Sequence, residues 1–452
     1  MTVASPLKRA EIIDALRDGV VPRHGLELFA VGLERFEQVL DEELDGVATG
    51  RGKFKAVRGD YGTGKTFFSC WLEHRARQRG FATALVQISE TDTPLYRMET
   101  VYRRAIESLQ TKEWSHGAFR SLIDRWFYNL EEEVLGQEGF DAKDPEAVGK
   151  AVGDLLERRL ASVSATQPQF AAALRRCHIA RVKGEHAIAE GLVAWLMAQP
   201  NVSADIKRAA GLKGDIDHDG AAGFLRGLLE LLKQTGRSGL LLVLDELETI
   251  QRVRADSREK SLNALRGLVD FIGDGRFPGL YILITGTPVF FDGQQGVQRS
   301  QALAQRLETQ FAKDPRFDSP RATQIRLQPF NHERMVEVGR RVRALFPTKS
   351  PERIAKLVDD DLLDSLARGV AGKLGGKVGV APRIYLKRLV GLLDQVELYP
   401  DFDPKLHYEL VVNANELTDE EREAGGIQRT VADIQLDIGS PTPKKGDAGD
   451  LE

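Results

Sequence analysis

The run Gly59-Asp60-Tyr61-Gly62-Thr63-Gly64-Lys65-Thr66 sets glycines, a lysine and a hydroxyl at the spacing Gly, four residues, Gly-Lys-Thr. Glycines so spaced let the backbone curl until its N–H groups face phosphate oxygens, and the positive end of a following helix adds to the attraction. Lys65 then neutralises the β- and γ-phosphates of a nucleoside triphosphate, and the Thr66 hydroxyl is offered to Mg²⁺. A chance glycine-rich turn is the competing reading. The context speaks against it, because an apolar strand leads in and an amphipathic helix leads out.

A second constellation lies at Asp245-Glu246, which ends the apolar run Leu240 to Leu244. Adjacent carboxylates at the end of a buried strand are costly unless a cation or water meets them. Asp245 suits the water shell of Mg²⁺, and Glu246 suits polarising an attacking water. Glu248 reads as a solvated first-turn carboxylate favoured by the helix dipole. The next strand ends in Thr285-Gly286-Thr287-Pro288, where a hydroxyl can contact the attacking water or the γ-phosphate; Thr287 is the first choice and Thr285 the second. Of Arg299, Arg306, Arg316 and Arg321, which follow, Arg306 is the choice for a side chain reaching the γ-phosphate of a neighbouring subunit. Arg383, in Ala381-Pro382-Arg383-Ile384, stands at a helix start, where a cation is unfavourable unless it faces an anion such as a phosphate.

These residues need a scaffold, and the hydropathy pattern supplies one. Strands are expected at Phe54 to Arg58, Phe81 to Ile88, Leu240 to Leu244, Leu280 to Ile284 and Thr323 to Leu327, alternating with helices. That alternation implies an α/β fold, a mostly parallel five-stranded sheet with right-handed crossovers. A capped helix follows Ser5, and another runs from Leu33 to about Val47. Between 111 and 236 only helical periodicity occurs, at Phe119 to Leu135, Ala147 to Leu160, Phe170 to Ile179, His186 to Met197 and Ala222 to Leu232. From Glu333 the chain is helical again, through Val336 to Leu345, Ile354 to Leu366 and Arg383 to Leu393. The expected organisation is therefore 1–110, N-terminal helices and the first part of the core; 111–236, a helical insertion; 237–330, the second part of the core; 331–400, a helical lid; and 401–452, an acidic, partly disordered end.

Composition bounds the function. The 452 residues carry 63 Lys+Arg against 67 Asp+Glu, a net charge of −4, which disfavours a protein that coats nucleic acid. From Asp401 onward there are 13 acidic and 5 basic residues, so −8 of that charge lies in the C-terminal end and the remaining body is +4. Cys70 and Cys177 read as ordinary reduced thiols. No apolar stretch approaches the ~20 residues that span a bilayer, and a cytoplasmic protein without a membrane partner is expected.

Taken together, the motifs resemble those of an AAA+ ATPase, with Walker A at 59–66, Walker B at 240–246, sensor 1 near Thr287 and sensor 2 at Arg383. Within that class the chain is similar to the origin-recognition and helicase-loader clade. More closely, Ile12 to Arg23, Gly59 to Thr66 and Leu244-Asp245-Glu246-Leu247-Glu248 look like the ATP-binding proteins of bacteriophage-exclusion (BREX) systems. The resemblance implies ATP and Mg²⁺ as cofactors and an adenine bordered by Val21, Pro22 and the Leu28 to Gly32 segment. It also implies a homo-oligomer with nucleotide between subunits, and a helicase or methyltransferase of a defence system as protein partner. A slow nucleotide-gated switch is the alternative to a motor. Origin-recognition relatives carry a winged-helix DNA-binding domain after the lid, whereas an acidic stretch of about fifty residues follows Pro400 here, so DNA binding by that route is not expected. Any DNA contact is expected at the insertion, where Arg175, Arg176, His178, Arg181 and Lys183 form a short basic cluster.

Overall fold

A computed structural model describes residues 5–137, 145–373 and 381–410. The acidic stretch beyond 410, expected to be partly disordered, lies outside the described residues. Five strands form one sheet: β1 (Lys53–Arg58), β2 (Ala82–Gln87), β3 (Leu240–Asp245), β4 (Leu280–Gly286) and β5 (Gln324–Arg326). Their order is β2-β3-β4-β1-β5 and every pairing is parallel. Near-continuous apolar runs such as Leu240 to Leu244 form these strands because both faces of a parallel sheet are covered.

Alternation along each strand divides the interior into two cores. Leu240, Leu242 and Leu244 pack on one side with Phe54, Ala56 and the helices between β2 and β3. Leu241 and Val243 face the other side, with Val57, the Walker A helix (Lys65–Gln78), the N-terminal helix (Pro6–Asp18) and the lid.

In the segment expected to be the insertion, the described elements are helices, including Ala118–Leu135, Pro145–Thr166, Pro168–Val182, His186–Leu196 and His218–Gln234, joined by turns and loops. A short helix, Ala204–Ala209, was not foreseen; it has no buried residue and hence no apolar stripe to reveal it. Aromatic rings knit the bundle, with Phe224 in edge contact with Tyr102, Phe170 and Trp195 at centroid distances of 5.9, 5.2 and 5.2 Å. Gly227 admits Phe170, whose ring lies 2.8 Å from where a β-carbon would stand.

The lid consists of His332–Leu345, Pro351–Leu357, Asp360–Lys373 and Ala381–Leu398. Periodicity predicts one helix from Ile354 to Leu366, but the chain breaks it at Val358-Asp359. There the Asp359 carboxylate accepts from the Leu362 N–H at 2.9 Å and caps a new helix. The N-terminal helix is capped by Ser5 Oγ, which accepts from Lys8 N, and ends at Gly19 with φ +74°. Arg17 ties it to the lid through two hydrogen bonds to Asp394, of 2.8 and 2.9 Å.

Candidate active site

β4 lies between β1, which leads into the Gly59–Thr66 loop, and β3, which ends in Asp245. The loop, the two acids and the end of β4 therefore converge at the carboxyl edge of the sheet, the usual place for a ligand in an open α/β sheet. In the loop, Gly62 and Gly64 have φ of +76° and +89°, a region closed to most side chains. A β-carbon on Gly59 would stand 2.4 Å from Thr63 Oγ1.

Lys65 and Thr66 open the helix that the loop feeds. Lys65 Nζ donates to the carbonyls of Gly59 at 3.0 Å and Asp60 at 3.4 Å, and lies 4.9 Å from the centre of the Tyr61 ring. Thr66 Oγ1 donates to Asp245 Oδ2 at 3.0 Å. A hydroxyl and a carboxylate this close form an all-oxygen pair, the donor type Mg²⁺ prefers, with phosphate oxygens and water left to complete its shell.

The same aspartate receives a short hydrogen bond from Thr285 Oγ1, and that hydroxyl accepts from Glu246 N at 3.1 Å. Of the two threonines considered, the second choice thus touches Asp245 and the Glu246 backbone. Thr287 is buried and caps the Pro288–Asp292 helix through its carbonyl, which accepts from Phe290 N at 3.0 Å.

Glu246 adopts φ +62°, ψ +44°, the left-handed region that non-glycine residues enter at a cost of order 1–3 kcal/mol. Its side chain accepts from Gln87 Nε2 at 2.9 Å. Composition gives Gln87 no distinction, but it is the last residue of β2 and stands in register with Asp245.

Glu248 corrects an expectation. It is buried at 5% exposure, not solvated, because the turn after β3 rotates it toward the loop. Its carboxylate lies 3.6 Å from Lys65 Nζ, and among the described residues no side chain hydrogen-bonds either oxygen. Burial pushes its carboxyl above the ordinary range, while Lys65 pulls it down.

A cavity of about 570 Å³ joins these groups. Its walls include Tyr61 to Phe67, Glu246 and Glu248, and also Val21, Pro22, Phe29, Val31 and Gly32, the segment expected beside the adenine. Pro382 and Arg383 reach it from the lid. Arg35, Arg252 and Arg334 line it too and were not singled out in the sequence, where nothing separates them from surface arginines. Five cations against two carboxylates make it suited to a polyanion. Behind the loop a second cavity of about 640 Å³ contains Arg58 and Arg326, but these are matched by Asp292 and Asp318, so it offers phosphate no comparable excess.

Arg306 does not line either cavity; it pairs with Asp270 on the outside of the same chain. Arg316 and Arg321 pair with Asp314 and Glu42. In the insertion's basic cluster, Arg175, Arg176 and Arg181 pair with Glu157, Glu185 and Asp124, so most of its charge is neutralised within the chain. Cys70 and Cys177 are free thiols, and burial pushes that of Cys70 up to about 12. Among the described residues no helix is long and apolar enough to cross a membrane.

Comparison with curated individual proteins gives no significant match. The model of one protein family, described as BREX system ATP-binding protein BrxC/D, matches residues 4–412.

Proposed function

The chain belongs to the BrxC/D family of BREX-system ATP-binding proteins, and from that premise we propose that it hydrolyses ATP at the cavity above the Gly59–Thr66 loop. The supporting observation is the 3.0 Å hydrogen bond from Thr66 to Asp245, which joins two motifs remote in sequence into one oxygen-lined corner. Backbone N–H groups of residues 59–66 hold the phosphates, and Lys65 turns from the loop carbonyls to the β- and γ-oxygens. Thr66 and Asp245 hold Mg²⁺, which supplies charge neutralisation at the transferring phosphoryl group. Glu246 orients the attacking water, and Thr285 fixes the position of Asp245 and of the Glu246 backbone. Arg383 reaches the phosphates from the lid, Val21 and Pro22 border the base, and Thr287 steadies the turn after β4. In a homo-oligomer, Arg306 of one subunit leaves Asp270 and serves the neighbour's γ-phosphate. The cycle remodels or loads a protein or DNA partner in phage defence, with the insertion at 111–236 as the partner-facing part.

Glu246→Gln tests this directly. The expected result is ATP binding within about threefold of the wild type and turnover reduced by about 10²–10⁴-fold. Unchanged turnover removes Glu246 from the mechanism.

One observation favours a second reading, a slow nucleotide-gated switch that recruits a helicase, methyltransferase or DNA. Gln87 holds Glu246, and Lys65 is engaged by its own loop, so both groups must be released before hydrolysis. Under that reading Gln87→Ala raises basal turnover; a motor is instead signalled by rapid turnover stimulated by partner or DNA.

A further inference from the structure

Phosphate chemistry accounts for the cations of the cavity but not for Glu248. A solvated acid there would cost little, yet this one is buried, lines the cavity and has the Walker A lysine as its charged neighbour at 3.6 Å. Lys65 carries three protons, and in this arrangement they face Gly59 O, Asp60 O and Glu248. A triphosphate requires the same protons. Burial raises the Glu248 carboxyl, Lys65 pulls it down with help from a backbone hydrogen bond, and Glu246 and Asp245, of the same sign, raise it further. If Lys65 turned to phosphate, a buried carboxylate would be left facing negative charge.

We propose that Glu248 competes with the nucleotide's phosphates for Lys65, weakening the hold on triphosphate more than on diphosphate, and so sets which nucleotide the site retains. The asymmetry follows from Coulomb's law. A γ-phosphate adds negative charge next to Lys65 and hence next to Glu248, whereas a diphosphate leaves that volume to the lysine and its carboxylate. The inference rests on reading the cavity as the nucleotide site.

The experiment is calorimetric titration of the full chain with ATPγS and with ADP, in the wild type, Glu248→Gln, Lys65→Met and the double variant. Glu248→Gln should bind ATPγS about tenfold more tightly and ADP less than about threefold more tightly, and the gain should vanish when Lys65 is Met. Unchanged or weaker ATPγS binding overturns the proposal, as does an equal gain for both nucleotides. Thermal unfolding of the same four proteins without nucleotide tests the pair alone: non-additive shifts in Tm are expected, and additive shifts overturn it. If the wild type itself binds neither nucleotide, the reading of the cavity fails and the competition with it. Binding by the wild type without a gain in Glu248→Gln overturns the competition alone.

Discussion

The insertion and the carboxyl edge of the sheet handle charge in opposite ways. In the insertion, Arg175, Arg176 and Arg181 each meet an acid, and the Asp217 carboxylate caps its helix by accepting from Gly220 N at 2.8 Å. Its Phe170 and Trp195 rings close on Phe224, and its long helices bury apolar stripes in the core shared with the sheet. At the sheet edge, Glu246 is held in a left-handed conformation, Glu248 is buried with no side-chain hydrogen bond among the described residues, and five cations and two carboxylates line one space. Groups that satisfy one another make a framework. Where one sign of charge outnumbers the other around an open space, an anionic ligand finds a place, and perturbed charges gather at such sites.

The strongest challenge to this contrast is a core deletion in the insertion. Phe224→Ala should cost about 3–5 kcal/mol of stability while ATP affinity per folded chain stays within about threefold, measured by denaturant unfolding and calorimetry. A selective loss of affinity at unchanged stability would show that the insertion belongs to the site. Next in size, Thr285→Val should lower turnover by about 10–100-fold, because Asp245 and the Glu246 N–H both lose a partner, whereas Thr287→Val should stay within about twofold. The reverse order would favour Thr287, the first choice, in the sensor role.

A third prediction concerns the back of the Walker A helix. Burial pushes the Glu73 carboxyl up to about 7, against a downward pull from Arg77 at 3.9 Å. Since the folded value lies above the ordinary 4.5, this group's contribution is full below pH 4.5 and is lost as the pH rises through about 7. The Tm of Glu73→Gln minus that of the wild type should therefore increase between pH 5 and 8, and a pH-independent difference contradicts it. The smallest effect belongs to Arg181→Gln, which breaks a partly exposed pair with Asp124 and should cost less than about 1 kcal/mol. It should also leave the fluorescence anisotropy of a labelled DNA duplex unchanged; a clear drop in DNA affinity would show that the cluster is not spent on internal pairs.

Much of this was legible in the residues. All five strands appear at the expected places to within two residues at either end, because fully buried strands leave unbroken apolar runs. The Gly59–Thr66 run stood out in the sequence because phosphate binding, the role proposed for it, needs fixed residue types at fixed spacing. Val21 and Pro22, implied only by the BREX and AAA+ resemblance, line the cavity. Gln87, Glu248 and Arg334 were hidden for a common reason: each is an ordinary residue type that only the tertiary fold brings to the loop. For Gln87 a signal existed in strand register, since the end of β2 must lie beside the end of β3. Glu248 was misjudged because a dipole argument assumes an exposed helix start, whereas a tight 3₁₀ turn, Leu247–Gln251, carries it inward.

In the proposed function the Gly59–Thr66 loop and the acids at the end of β3 form one ATP site. Calorimetric titration of Mg²⁺-ATP into the wild type and Lys65→Ala tests it most directly. One ATP per chain is expected for the wild type, with affinity at least about a hundredfold weaker for Lys65→Ala, which loses charge-assisted hydrogen bonds to the phosphates. Equal affinity in the two proteins would contradict it.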